Sequence, residues 1–140
     1  MRILFALAIA ATTSLVPAHA QEALPAGLSL ELNAVQPADA GCRLTFLAVN
    51  GFEDTLERAS VETALFDSDG AIERIVTLDF KALSPGKTKV LQFELAGLDC
   101  TNLSRVLIND ITACDGEGLA ADSCMQGLAT HSRTNIDLGV

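Results

Sequence analysis

Leu28, Leu30, Leu32 and Ala34 alternate with Ser29, Glu31 and Asn33, the period of two that a strand shows when one face is buried. Pro, Asp and Gly between Gln36 and Gly41 then predict a turn. Cys42, Leu44, Phe46 and Ala48 alternate next and end at Asn50-Gly51, and Ala59, Val61, Thr63 and Leu65 form a third set. Asp67-Ser68-Asp69-Gly70 reads as a tight hairpin. Ile72, Val76, Leu78 and Phe80 give a fourth strand, Leu83-Ser84-Pro85-Gly86 a turn, and Lys89, Leu91, Phe93 and Leu95 a fifth strand. Val106 to Ala113 predicts the sixth strand and Thr134 to Leu138 the seventh. Between them, Leu119 to Leu128 predicts a short helix starting near Asp122 or Ser123. Seven short strands with one apolar face each predict two antiparallel sheets packed face to face around an aliphatic core.

The first twenty residues do not follow this pattern. Met1-Arg2 is a positive start, Ile3 to Ala11 is an apolar run, and Ala18-His19-Ala20 is a small-x-small cleavage signal. That order predicts a secretory signal peptide cut after Ala20. The run is shorter than the roughly 20 residues that span a bilayer. A lone Arg2 argues against a twin-arginine leader, and the lack of a following cysteine argues against a lipid anchor. The expected organisation is a signal peptide over 1–20, an N-terminal arm over 21–27 and one domain over 28–140. The alanine-rich leader looks bacterial, so the expected location is periplasmic or secreted, with no membrane insertion after cleavage.

Composition changes the picture mainly by exclusion. The chain carries a formal charge of −9, and cleavage would remove Arg2 and no acid, leaving −10 on 120 of the 140 residues. That sign argues against nucleic acid and anionic lipid, which recruit Lys and Arg patches. It allows a basic partner or a cation. There is no Trp and no Tyr, the residues on which carbohydrate and peptide sites most often rely.

Cys42, Cys100, Cys114 and Cys124 predict two disulfides in an oxidising compartment. Three pairings are possible. If the strands alternate in direction, Cys42 and Cys100 fall at one end of the sandwich, and Cys114 and Cys124 at the other. A strand is roughly 17–20 Å long, whereas bridged Cα atoms lie within about 7 Å. The expected pairing is therefore Cys42–Cys100 and Cys114–Cys124. It differs from the antibody bridge, which joins the second and sixth strands beside a Trp. A redox role would call for C-x-x-C, which is missing.

Candidate chemistry is sparse. His131 is the only histidine after Ala20, and there is no G-x-S-x-G elbow, so no catalytic residues are expected. With the cysteines paired, one His and Met125 do not make a transition-metal site, and no metal or cofactor is expected. Asp67 and Asp69 resemble the start of a calcium loop, but the twelve-residue pattern fails beyond Glu73, and a hairpin explains them. Asp115 and Glu117, with Asp122, form a second acidic patch. Asn102-Leu103-Ser104 fits a glycosylation sequon, relevant only in a host that glycosylates.

Ala64-Leu65-Phe66-Asp67-Ser68-Asp69-Gly70, then Leu83-Ser84-Pro85-Gly86-Lys87-Thr88 and Phe93-Glu94-Leu95, resemble the bacterial FxLYD-type Ig-like β-sandwich. Those domains carry a hydrophobic–acid–x–x–Gly hairpin followed by a Leu-x-Pro-Gly turn. With Leu98-Asp99-Cys100 and Val106-Leu107-Ile108-Asn109, the chain is also similar to uncharacterised exported proteins of alphaproteobacteria. The resemblance covers about residues 43 to 95 and implies an Ig-like fold and export; it transfers no functional residue. The sequence thus predicts an all-β, seven-stranded, Ig-like antiparallel sandwich with a short helix in its last connection. It would act as a non-enzymatic binding or accessory module through protein contacts, at an edge strand or the Cys114–Cys124 loop, with an unknown protein partner. The alternative is a small-ligand or cation binder using Asp67, Asp69, Asp115 and Glu117.

Overall fold

A computed structural model describes residues 26–140. The expected signal peptide and most of the expected arm lie outside the described residues. Eight strands form two four-stranded sheets: β1 Leu28–Ala38, β2 Gly41–Asn50, β3 Leu56–Asp67, β4 Ile72–Leu83, β5 Thr88–Ala96, β6 Leu103–Gly116, β7 Ala129–Ser132 and β8 Asp137–Gly139. The first sheet has the order β5-β2-β1-β7 and the second β4-β3-β6-β8. β1 to β6 alternate in direction, as the sequence predicts, and their ladders are antiparallel. The sandwich therefore has two ends. A hairpin end carries the β1–β2, β3–β4 and β5–β6 connections. A loop end carries the β2–β3, β4–β5 and β6–β7 connections.

The inward positions of the alternating sets form the core. Leu28, Leu30, Leu32, Leu44, Val61, Leu65 and Val106 are wholly buried. Phe46, Phe80 and Phe93 meet edge to face at 5.2–5.9 Å between centroids, joining β2, β4 and β5. That geometry suits the ring quadrupoles and locks the two sheets on their β4–β5 side.

Of the predicted seventh strand, Thr134 to Leu138, only the end forms a strand, as β8, and an unpredicted strand, β7, precedes it in the other sheet. β7 runs parallel to β1, and β8 runs parallel to β6, so both sheets are mixed rather than antiparallel. The reason lies in residues 132–136. The Ser132 hydroxyl donates to the Ile136 carbonyl at 2.6 Å, and Thr134 Oγ1 accepts from the Ile136 N–H at 3.0 Å. These short side chains take over backbone partners that a ladder would use, and the chain crosses from one sheet to the other. Ile136 and Leu138 are buried. The predicted helix shrinks to one turn, α1 Ser123–Gln126. It ends at Gly127, where the chain passes so close to Gly27 that a Cβ would meet the Gly27 Cα at 2.8 Å. β1 also runs through the predicted turn, leaving only Asp39 and Ala40 outside strands. Pro37 is tolerated because β7 pairs only with residues 29–32, so β1 is an open edge there.

The β4–β5 side leaves two long strands without outer neighbours. Lys89 of β5 donates to the Phe80 and Ala82 carbonyls of β4, at 3.3 and 3.0 Å. Arg74 of β4 donates to the Ala96 carbonyl of β5 at 2.6 Å. Two basic side chains thus strap the sheets together and occupy outward carbonyls.

Two exposed carboxylates fix local backbone. Asp79 accepts from the Lys81 ammonium and the Lys81 N–H, each at 2.9 Å, at a bulge where Lys81 takes φ 62°. Asp99 accepts from the Thr101 hydroxyl at 2.7 Å and the Thr101 N–H at 2.9 Å. These bonds favour the ionised forms and hold both groups below their ordinary value, chiefly through the Lys81 and Thr101 side chains. A carboxyl lowered on folding adds stability that is complete above its unfolded value and is lost as pH falls through its folded value. We expect denaturant midpoints to decline below about pH 4, and the Asp79→Asn/Asp99→Asn variant to decline less steeply. Superimposable acid profiles for the two proteins would contradict this.

Candidate functional site

The loop end is built on Asn50. Its side chain is fully buried, and its amide donates to the Leu83 carbonyl at 2.9 Å and the Asp54 carbonyl at 2.8 Å. Its Oδ1 accepts from the Phe52 N–H at 2.9 Å. The Gly86 N–H donates to the Asn50 carbonyl, and the Gly51 N–H to the Gly27 carbonyl, each at 2.8 Å. One residue thereby joins the ends of β2 and β4 and shapes the connection 51–55.

The second wall comes from the segment after β6. Cys114 is bonded to Cys124, with Cα atoms 5.9 Å apart. The bridge pins α1 to the end of β6. The chain between them turns so that Leu119 packs over Gly116, where a Cβ would meet its Cδ1 at 2.8 Å. Phe52 and Leu119, both half-buried, flank a cleft of about 360 Å³ that Glu53, Asp54 and Glu117 also line. None of these three carboxylates is in an ion pair found among the described residues.

A second cleft, of about 190 Å³, opens at the hairpin end beside Cys42–Cys100, whose Cα atoms are 5.2 Å apart. Asp67, Glu73 and Asp99 line it, and all three are engaged in the protein itself. Asp67 Oδ1 accepts from the Asp69 and Ala71 N–H groups at 3.0 and 2.9 Å. Glu73 pairs with Arg74 at 3.3 Å, and Asp99 holds Thr101. Here the acids build turns. At the loop end they face solvent with no such work.

The four acids read from the sequence do not converge. Asp67 and Asp69 lie at the hairpin end, whereas Asp115 lies opposite Arg58 at the loop end and Glu117 lines the larger cleft. Eleven steps of β3 separate Asp67 from Leu56, roughly 35 Å at about 3.3 Å per residue. Among the described residues, no three His, Cys, Asp or Glu side chains group closely enough to hold a metal ion. His131 is exposed on β7. Glu53, Asp54 and Phe52, which the sequence reading did not single out, are what the structure adds to Glu117. Their only signal was a Phe between a Gly and two acids in a five-residue connection.

Compared with known proteins, the chain matches no family model, no curated protein and no solved structure. The fold and the two bridges therefore rest on geometry alone. The bridges suit an oxidising, extracytoplasmic location. No helix among the described residues is long and apolar enough to cross a membrane.

Proposed function

We propose that the protein is an exported, non-enzymatic binding module, with the Ig-like character that its hairpin and Leu-x-Pro-Gly turn resemble. It takes a basic, partly apolar segment of a partner protein at the loop end. The observation that carries this reading is the cleft between Phe52 and Leu119. It offers apolar walls to a side chain and three carboxylates, Glu53, Asp54 and Glu117, that form no ion pair among the described residues. Glu57, Asp115 and Asp122 extend the negative field at this end, against Arg58 and Lys87. Such a field steers and orients a basic partner. The Asn50 bonds and the Cys114–Cys124 bridge pre-organise both walls, which lowers the ordering cost of binding. Strand addition at the β4 edge is the weaker mode, since Lys89 already occupies two of its carbonyls.

The test is a screen of a random peptide library. We expect enrichment of Lys or Arg beside Leu or Phe, with affinity falling as salt rises. The Glu53→Lys/Glu117→Lys variant should bind the enriched peptides at least about tenfold more weakly. Equal binding by the charge-reversed protein, or a library without enrichment, would overturn the proposal.

A further inference from the structure

The outer face of the second sheet carries an apolar row with Arg105 on its hairpin side, where Asp137 of β8 stands in register beside it, and Glu62 and Asp110 on its loop side. Ile75, Ala64 and Leu107 lie directly opposite one another on β4, β3 and β6. Ile75 is 55% exposed, three residues into the edge strand β4. One step toward the hairpin end, Ile72, Phe66 and Arg105 form the next row, with Ile72 57% exposed. The Arg105 guanidinium lies over the Phe66 ring at 5.5 Å, which places both on this face. One step toward the loop end stands Glu62, with Asn109 bonded to it at 2.6 Å and Asp110 in register. A bulge in β6 inserts Asn109 between Ile108, opposite Thr63, and Asp110, opposite Glu62.

We infer that this face is the interface of a symmetric dimer, its occupant a second copy of the chain. The reason is self-complementarity. A half-turn about the Ile75–Ala64–Leu107 row lays β6 of one copy antiparallel on β6 of the other. The row meets its own image, and Arg105 of each copy comes over Asp110 of the other. Arg105 is two residues before Leu107 and Asp110 three after, and the bulge takes up the extra residue, so the two charges stand at matching heights. An isologous interface requires a patch that is its own complement, and sheets pack face to face about 10 Å apart through interleaved side chains. A purely basic or purely acidic partner would meet a like charge at one side of this face. The net charge of −9 opposes association at long range, but at physiological ionic strength the Debye length is about 8 Å, so close opposite pairs outlast that repulsion.

Sedimentation equilibrium on the oxidised protein at physiological ionic strength tests this. We expect a monomer–dimer equilibrium in the micromolar range. Ile75→Asp should weaken it at least about tenfold, while Val90→Asp, at an equally exposed apolar position on β5 in the other sheet, should leave it unchanged. Arg105→Asp and Asp110→Arg should each weaken it about tenfold, and the two together should restore it. Denaturant midpoints, which these surface changes should leave nearly constant, separate loss of the interface from loss of the fold. A monomer at all concentrations, a dimer indifferent to Ile75→Asp, or a double charge swap that fails to restore association would overturn the inference.

Discussion

Replacing Cys42 by Ala and Cys100 by Ser should lower the unfolding free energy by about 4 kcal/mol. The bridge closes a loop with a sequence separation of 58, and β3, β4 and β5 lie inside it. Freeing that loop enlarges the unfolded ensemble far more than it loosens the native one. Ala suits position 42, which is fully buried, and Ser suits position 100, which is half-exposed. The separation of 10 across Cys114–Cys124 encloses only the last two residues of β6 and the start of α1, and its removal should cost about 3 kcal/mol. A small domain is stable by roughly 5–15 kcal/mol, so the first variant is expected to be partly unfolded at moderate temperature. Chemical denaturation of both variants beside the native protein measures the difference. Loss of under about 1 kcal/mol on removing Cys42–Cys100 would contradict the loop-closure account.

Asn50→Ala should cost about 3 kcal/mol or more. It removes no large apolar volume, so a cavity is not the main cost. It leaves the Leu83 and Asp54 carbonyls and the Phe52 N–H without the partners that Asn50 supplies. Each buried polar group left unpaired costs about 1–3 kcal/mol. Asn50→Asp keeps the size and the acceptor for Phe52 but turns an oxygen toward two carbonyls and buries a charge, so it should be at least as damaging at neutral pH. The two variants should unfold at clearly lower denaturant than the native protein, and peptide binding at the loop end should weaken with Asn50→Ala because the 51–55 wall loses its tether. An Asn50→Asp protein as stable as the native one would show that the amide is not donating as described.

Where strands begin was legible wherever apolar and polar residues alternate without interruption, as in Leu28–Leu32 and Cys42–Ala48. Strand direction then placed the cysteines at two ends, because only residues at the same end come within bonding distance. The final segment was not legible. Thr134, Ile136 and Leu138 alternate like a strand, but the alternation records burial and not pairing, and Ser132 and Thr134 redirect the backbone through bonds between side chain and main chain. The loop-end cleft was illegible for a related reason. Phe52 and Leu119 are 67 residues apart and meet only because Asn50 and Cys114–Cys124 bring their loops together. Asn50 itself read as a turn residue, since nothing local distinguishes an Asn that caps a turn from one that anchors three segments.

The Lys89 and Arg74 straps bear on how assembly by this protein ends. An open strand edge is a template that copies itself: each added strand presents a new edge, and growth has no natural limit. Here the Phe80, Ala82 and Ala96 carbonyls already have donors from within the chain. β7 and β8, on the opposite side, are only four and three residues long. Sideways growth would have to displace an internal cation on one flank and hold on to a stub on the other. Contacts made through a sheet face or the loop end saturate once that surface is covered, so the fold favours complexes of fixed size over fibres.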